Sequence, residues 1–236
     1  MKKTVVLRAV LGGLLSISAS AGPLLVADFE SGTTDGWDVT AGTDPAVNAS
    51  PGGVSNGKYI FTEDRADGAA YFRAPASWAG NYLGDTMSFY LKNFNPTNPF
   101  ATTVTQSILV IQGSGGPNLF LRGSMPTTAY PPGDGWTFYS LVLDTAQTWS
   151  LNEFSLVAPT ATQIQNTLST ITRIHILGDF ASGFFGKPTT AAAFGHDVGG
   201  LDNVTLGSNA PIPEPGTMLL TLSGLVGAVI LRRRSA

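Results

Sequence analysis

The aromatic side chains Trp78, Tyr130 and Trp136 have the most readily stated chemistry: a flat ring matches the apolar face of a pyranose, and Tyr130 opens a Tyr-Pro-Pro-Gly stretch that reads as a loop. Trp149 and Tyr82 offer the same chemistry. Large aromatics in β-rich chains also fill cores and rims, so all five are equally candidates for packing. Catalysis has less to work with. His175 lies in an apolar run and suits a structural role, while His196 precedes Asp197 in a Gly-rich stretch where the carboxylate could orient the imidazole. There is no Gly-x-Ser-x-Gly elbow, no His-Glu-x-x-His and no cysteine. The 16 acidic residues form no recognisable local acid/base pair. The densest stretch, Glu63-Asp64-Arg65-Ala66-Asp67, lacks the ligand spacing of an EF-hand calcium loop. The expectation is a protein that is not an enzyme.

The elements that must position these residues lie between two ends of different character. Lys2, Lys3 and Arg8 precede an apolar stretch from Ala9 to Ile17, and Ala19-Ser20-Ala21 is a small-x-small cleavage site. Residues 1–21 therefore have the layout of a secretory signal peptide. At the other end, Pro211, Pro213 and Pro215 keep the backbone extended and stop a helix from starting early. Residues 217–231 carry no charge and predict a transmembrane helix that is short for a bilayer, since about 20 residues is the usual length. Arg232, Arg233 and Arg234 would stay on the cytoplasmic side and can snorkel to the interface.

Both ends disguise the body. They hold six of the 13 basic residues and one of the 16 acids, Glu214, which leaves 7 basic against 15 acidic side chains, a net charge of −8. So acidic a body does not suit a phosphate backbone, and nucleic acid is not an expected partner. Without cysteine no disulfide contributes, so burial and hydrogen bonds must hold the fold. Strands are predicted over 24–29, 58–62, 69–73, 86–93, 107–112, 119–123, 136–144, 172–177 and 201–206, separated by Gly-, Pro- and Asn-containing turns. The stretch 136–144 is apolar at both alternating sets and predicts a strand buried on both sides. One short helix is predicted over 160–168, with Thr162-x-x-Gln165 as its capping box. The fold class that follows is all-β: an antiparallel two-sheet jelly-roll sandwich with one short helix over residues 22–209, followed by the C-terminal transmembrane helix.

Two resemblances add to this reading. The ordered run Pro213-Glu214-Pro215, short apolar helix and Arg cluster in residues 210–236 resembles the PEP-CTERM sorting signal. That resemblance implies export by the Sec machinery and signal peptidase, transient holding in the inner membrane of a Gram-negative bacterium, and recognition near Pro213-Glu214-Pro215 by an exosortase. The body would then reach the outer surface or the extracellular matrix. Within the body, Asp28-Phe29-Glu30 running to Gly36-Trp37, and the closing Leu201-Asp202-Asn203-Val204, resemble the laminin B (laminin IV type A) domain. The same opening and close are shared with galactose-binding-like and carbohydrate-binding jelly rolls. This resemblance implies that the first and last strands are neighbours, so that Asp28 or Glu30 meets Asp202 around a structural Ca²⁺, hard oxygen ligands suiting that ion. Without a metal, Glu30 would cap a turn and Asp202 would sit in an Asx-turn. The implied function is a non-catalytic binding or adhesion module for extracellular polysaccharide. The alternatives are a purely structural matrix component and, less favoured, a glycan-active enzyme.

Overall fold

The computed structural model describes residues 24–40, 45–63, 70–94, 107–122, 132–153, 155–180 and 198–208. The expected signal peptide, the sorting segment with Pro213, Glu214, Pro215 and Arg232, Arg233, Arg234, and also Tyr130 and His196, lie outside the described residues. In chain order the strands are β1 (Leu25–Ala27), β2 (Asp38–Val39), β3 (Val47–Ala49), β4 (Tyr59–Glu63), β5 (Tyr71–Arg73), β6 (Thr86–Asn93), β7 (Ser107–Gly113), β8 (Leu119–Arg122), β9 (Thr137–Val142), β10 (Trp149–Ser150), β11 (Ile171–Leu177) and β12 (Val198–Gly207), with one helix, α1 (Ala161–Leu168).

Alternation decides the layers. In β6, Met87, Phe89 and Leu91 are fully buried while Thr86, Ser88, Tyr90 and Lys92 face outward. The strands form two six-stranded antiparallel sheets. The first runs β3-β4-β12-β6-β9, with β1 also paired to β12; the second runs β10-β8-β7-β11-β5-β2. The inner rows meet in one core, in which Ile60, Leu201, Val204 and Tyr139 of the first sheet join Phe72, Leu109, Ile111, Ile174 and Trp149 of the second. The expected two-sheet antiparallel sandwich is therefore the observed one. β12 organises the first sheet. One of its edges pairs with β6 along most of its length; the other pairs first with β4 and then with β1.

Two expectations need correction, and three short strands were not predicted. The strand at β9 is not buried on both sides: Tyr139 and Leu141 point into the core, but Phe138 and Val142 are 47% and 39% exposed. β9 is the edge of its sheet, and its outer row stays partly exposed. The helix is capped two residues earlier than the Thr162–Gln165 spacing suggests. Thr160 is the N-cap, its Oγ1 accepting from Gln163 N while the Gln163 side chain accepts from Thr160 N. The short strands β2, β3 and β10, of two or three residues each, carry too little periodicity to be predicted.

The opening motif becomes core. Phe29 is fully buried with φ +58°, and Trp37 is 2% exposed. Trp37 packs edge-on against Phe29 (centroids 6.5 Å apart) and against Trp78 (5.2 Å). The turn between them is tied by Asp35, which accepts from Phe29 N through Oδ2 and from Ser31 and Thr33 through Oδ1.

Candidate functional site

Two features of the first sheet stand out, an acidic corner and an aromatic face. The corner arises where β1 and β12 part. Their ladder ends at Ala27 opposite Val204. Beyond it both chains leave regular geometry, Phe29 at φ +58° and Asn203 at φ +47°. A bulge in β12 between Asp202 and Thr205 lets Leu201 and Val204 both reach the core while Asp202 turns aside. Asp202 is 1% exposed; its Oδ2 accepts from Val54 N at 2.7 Å and its Oδ1 from Asn203 N at 2.7 Å. Glu30 meets the same loop from the other side, with Oε1 accepting from Lys58 N and its carbonyl from Lys58 Nζ, both at 2.8 Å. Glycines let the loop come this close. A Cβ on Gly53 would stand 2.8 Å from Asp202 Oδ2, and one on Gly57 would stand 2.0 Å from Glu30 Oε1.

Burial pushes the Asp202 carboxyl up to about 6; the N–H groups of Val54 and Asn203 work against that rise, and the charges of Glu30 and Asp28 add to it. The expected trio is thus brought together electrostatically, but its members are not equivalent. Glu30 and Asp202 share a loop, whereas Asp28 Oδ1 accepts from Glu30 N within its own turn. Among the described residues no three acidic, His or Cys side chains converge as a metal cluster. A cation here would take its further donors from the backbone. The donor chemistry is nonetheless all hard oxygen, and a desolvated carboxylate facing two others of like sign is a place where positive charge is favourable.

The aromatic face lies on the outside of the same sheet. Register places Phe61 of β4 opposite Gly200 of β12, and Gly200 opposite Lys92 of β6. Gly200 leaves an open site in the middle of the sheet: a Cβ there would stand 2.8 Å from the Phe94 ring and 3.0 Å from Trp136. Those two rings fill the space with Tyr59. Tyr59 stacks on Phe94 at 5.6 Å, meets Trp136 edge-on at 5.4 Å and lies 6.2 Å from Phe61. Lys92 Nζ sits 4.5 Å above the Phe94 ring and 5.9 Å from Trp136. Trp136 Nε1 donates to Gly52 O at 2.7 Å, which fixes the indole and links the aromatic face to the loop held by Asp202. All four rings are only half-buried. Next along the sheet, Tyr90 and Phe138 pair at 5.0 Å, Phe138 being largely exposed.

Of the predicted stacking residues that lie among the described ones, Trp136 alone is placed on a surface. Trp78 is 6% exposed and belongs to the core beside Trp37, so it has no face to offer a sugar. Trp149 and Tyr82 are buried as well. Tyr59, Phe61 and Phe94 were missed, although one signal pointed at two of them: in 58–62, Tyr59 and Phe61 alternate with Ile60 and Thr62, so both faces of that strand are largely apolar while only one can face the core. His175 lies on β11, as expected, and is half-buried.

No family model matches the chain, and no curated protein matches it. Solved structures do. The chain is similar to the L4b domain of human laminin alpha-2 (10% identity, 64% of this chain and 79% of that one, TM-score 0.47). It is similar to a CBM22-1 xylan-binding domain from Paenibacillus barcinonensis (12% identity, 80% and 96% covered, TM-score 0.45). It is also similar to a family 11 carbohydrate-binding module of a cellulosomal cellulase from Clostridium thermocellum (14% identity, 79% and 95% covered, TM-score 0.43). At this level of similarity the neighbours assign no ligand and no residue role to this chain.

Proposed function

We propose that the body is a non-catalytic polysaccharide-binding module that uses the outer face of the first sheet. One observation carries this: four half-exposed rings, Tyr59, Phe61, Phe94 and Trp136, gathered over Gly200 with the indole of Trp136 pinned to Gly52 O. Rigid aromatic surface is what a pyranose face stacks on, and pre-set rings lose little freedom on binding. Lys92 and the Tyr59 hydroxyl add polar contacts at the edge. Replacing Trp136 with Ala weakens binding to the polysaccharide the wild-type chain retains by about tenfold or more, the ~1.4 kcal/mol or greater loss of a central aromatic anchor. The measurement is a polysaccharide array followed by affinity electrophoresis, with melting temperature as a folding control. A wild-type chain that binds no polysaccharide would leave the structural-component reading in its place.

The route to the surface is part of the proposal. It rests on residues 1–21 as a signal peptide and on Pro213-Glu214-Pro215 with Arg232, Arg233 and Arg234 as an exosortase-read sorting segment. Replacing Pro213, Glu214 and Pro215 together by Ala is expected to leave the chain in the inner-membrane fraction of an exosortase-bearing host, where the unaltered chain is released. Equal release of both chains would sink the sorting reading.

A structural Ca²⁺ at the acidic corner belongs to the same proposal. Glu30 and Asp202 would hold it, with carbonyls of the 53–58 loop. The ion would supply the positive charge that Asp202 lacks and would tie β1, the loop and β12 into one unit.

A further inference from the structure

The second sheet has its own outer face, with different chemistry. Asp38 of β2 lies opposite Arg73 of β5, and Arg73 lies opposite His175 of β11. Arg173 stands two residues before His175 on the same strand, and so on the same face. The Arg73 guanidinium is held by Asp38: Nε donates to Oδ1 at 2.7 Å and Nη2 donates to Oδ2. This pairing holds the Asp38 carboxyl below its ordinary value. Arg173 is exposed and has no hydrogen bond or ion pair among the described residues. Between the two arginines opens a cavity of about 310 Å³, lined by Gly36, Asp38, Arg73, Pro75, Thr172 and Arg173.

Charge is what makes this cavity unusual. Two guanidinium groups face one carboxylate, on a body whose net charge is −8. Their field reaches His175, whose Nε2 is buried without a hydrogen-bond partner among the described residues. Burial first, then the charges of Arg73 and Arg173, with Asp38 opposing them, together bring that imidazole down to about 4. Tyr71 is a further ionisable neighbour on this face, its ring 6.1 Å from His175 and its hydroxyl donating to Glu153. Asp38 uses its oxygens on Arg73 and orients that plane, while Arg173 feels the Asp38 charge at longer range and presents its guanidinium at the cavity wall. A planar fork held by a carboxylate, beside a second, exposed fork, is an arrangement that receives a compact oxyanion.

We propose that this cavity is a second site, on the sheet opposite the aromatic face, that takes the anionic substituent of an acidic sugar: a uronate carboxylate or a sulfate ester. That the anion is carried by a sugar rests on the polysaccharide reading; the existence of an oxyanion site does not. Arg173 supplies the charge, Arg73 the oriented donors, and Asp38 positions Arg73.

The test uses the full chain in detergent with its two histidines isotopically labelled, His175 being assigned by difference from His196→Gln. Four probes are titrated by calorimetry and by the His175 signal: galacturonate, galactose 6-sulfate, galactose and inorganic sulfate. Galacturonate or galactose 6-sulfate should bind and raise the His175 pKa from about 4, and galactose should not bind. Arg173→Gln should weaken the sugar anion by at least about tenfold, as loss of a charge-assisted contact does. The variant should also raise the His175 pKa without any ligand, because one opposing cation is gone. Arg173 is exposed, so its replacement leaves the fold intact, and an unchanged melting temperature verifies this. No binding by either sugar anion, equal binding of galactose, binding by inorganic sulfate alone, or full affinity in Arg173→Gln would each overturn the proposal. The first sheet is tested separately by Trp136→Ala, which should leave anion binding at this cavity unchanged.

Discussion

Replacing Trp37 with Ala is expected to cost about 3–5 kcal/mol of stability, the range for deleting a buried aromatic from a core. At this chain length that is a fall of roughly 2–4 °C in melting temperature for each kcal/mol. The cost is large because the ring fills the junction between the opening turn and the rest of the core, touching Phe29 on one side and Trp78 on the other, and is 2% exposed. No small shift of the turn can close the hole, since Asp35 ties its backbone at Phe29 and its side chains at Ser31 and Thr33. Trp37→Phe should be far milder. The indole Nε1 is buried and has no partner among the described residues, so the smaller ring forfeits packing but no hydrogen bond. Equal losses in the two variants, measured by thermal or denaturant unfolding, would show that the indole N–H has a partner after all.

The second large effect is expected from a chelator, and it depends on pH. A Ca²⁺ held by Glu30 and Asp202 stabilises only the folded chain; at a free concentration about a thousandfold above its dissociation constant the gain is roughly 4 kcal/mol. Chelation at neutral pH should therefore lower the melting temperature by about ten degrees or somewhat more. Asp202 sets the pH term. Its folded value is raised to about 6 from an ordinary 3.8, so between those values the folded chain binds more protons than the unfolded one. In chelator, this group's contribution is therefore most favourable below the unfolded value and declines as pH rises through about 6. With calcium present, a proton competes with the ion for the same carboxylate. The gap between calcium and chelator should thus be widest at pH 7 and shrink toward pH 5. A melting temperature indifferent to chelator at pH 7 removes the ion from the proposal.

How far residues alone announce their place differs along this chain. β6 was legible to the residue, because Met87, Phe89 and Leu91 alternate strictly with polar positions over a full strand. The nearness of Glu30 to Asp202 followed from the resemblance of the opening and closing motifs, and both side chains do meet one loop. The role of Asp28 did not follow, because whether it serves its own turn or the loop depends on the positive φ at Phe29, a local conformation that no spacing encodes. Trp78 and Trp136 look alike in sequence, each near a turn. One closes the core behind Trp37, and the other lies over Gly200. The difference rests on Gly200, whose missing side chain opens the outer face only once β4 and β6 flank β12. Long-range juxtaposition of this kind brings together residues as distant as Tyr59 and Trp136, and local pattern does not carry it.

The place of β12 bears on how the module would carry a load. Its last residue, Gly207, leads directly to Ser208 and the segment expected to be held at the cell envelope. Any tension entering there runs along a ten-residue strand hydrogen-bonded on one edge to β6 and on the other to β4 and β1. If the resisting hold is a polymer gripped by Tyr59 on β4 and by Trp136 just before β9, the force is lengthwise between neighbouring strands. The ladders are then sheared together rather than peeled one bond at a time. β1 leaves beside the same end, Leu25 opposite Leu206, so the exit of β12 is braced where the pull begins. A tether built this way would yield late and abruptly, a mechanical property suited to something fixed at one end and gripping a polymer at the other.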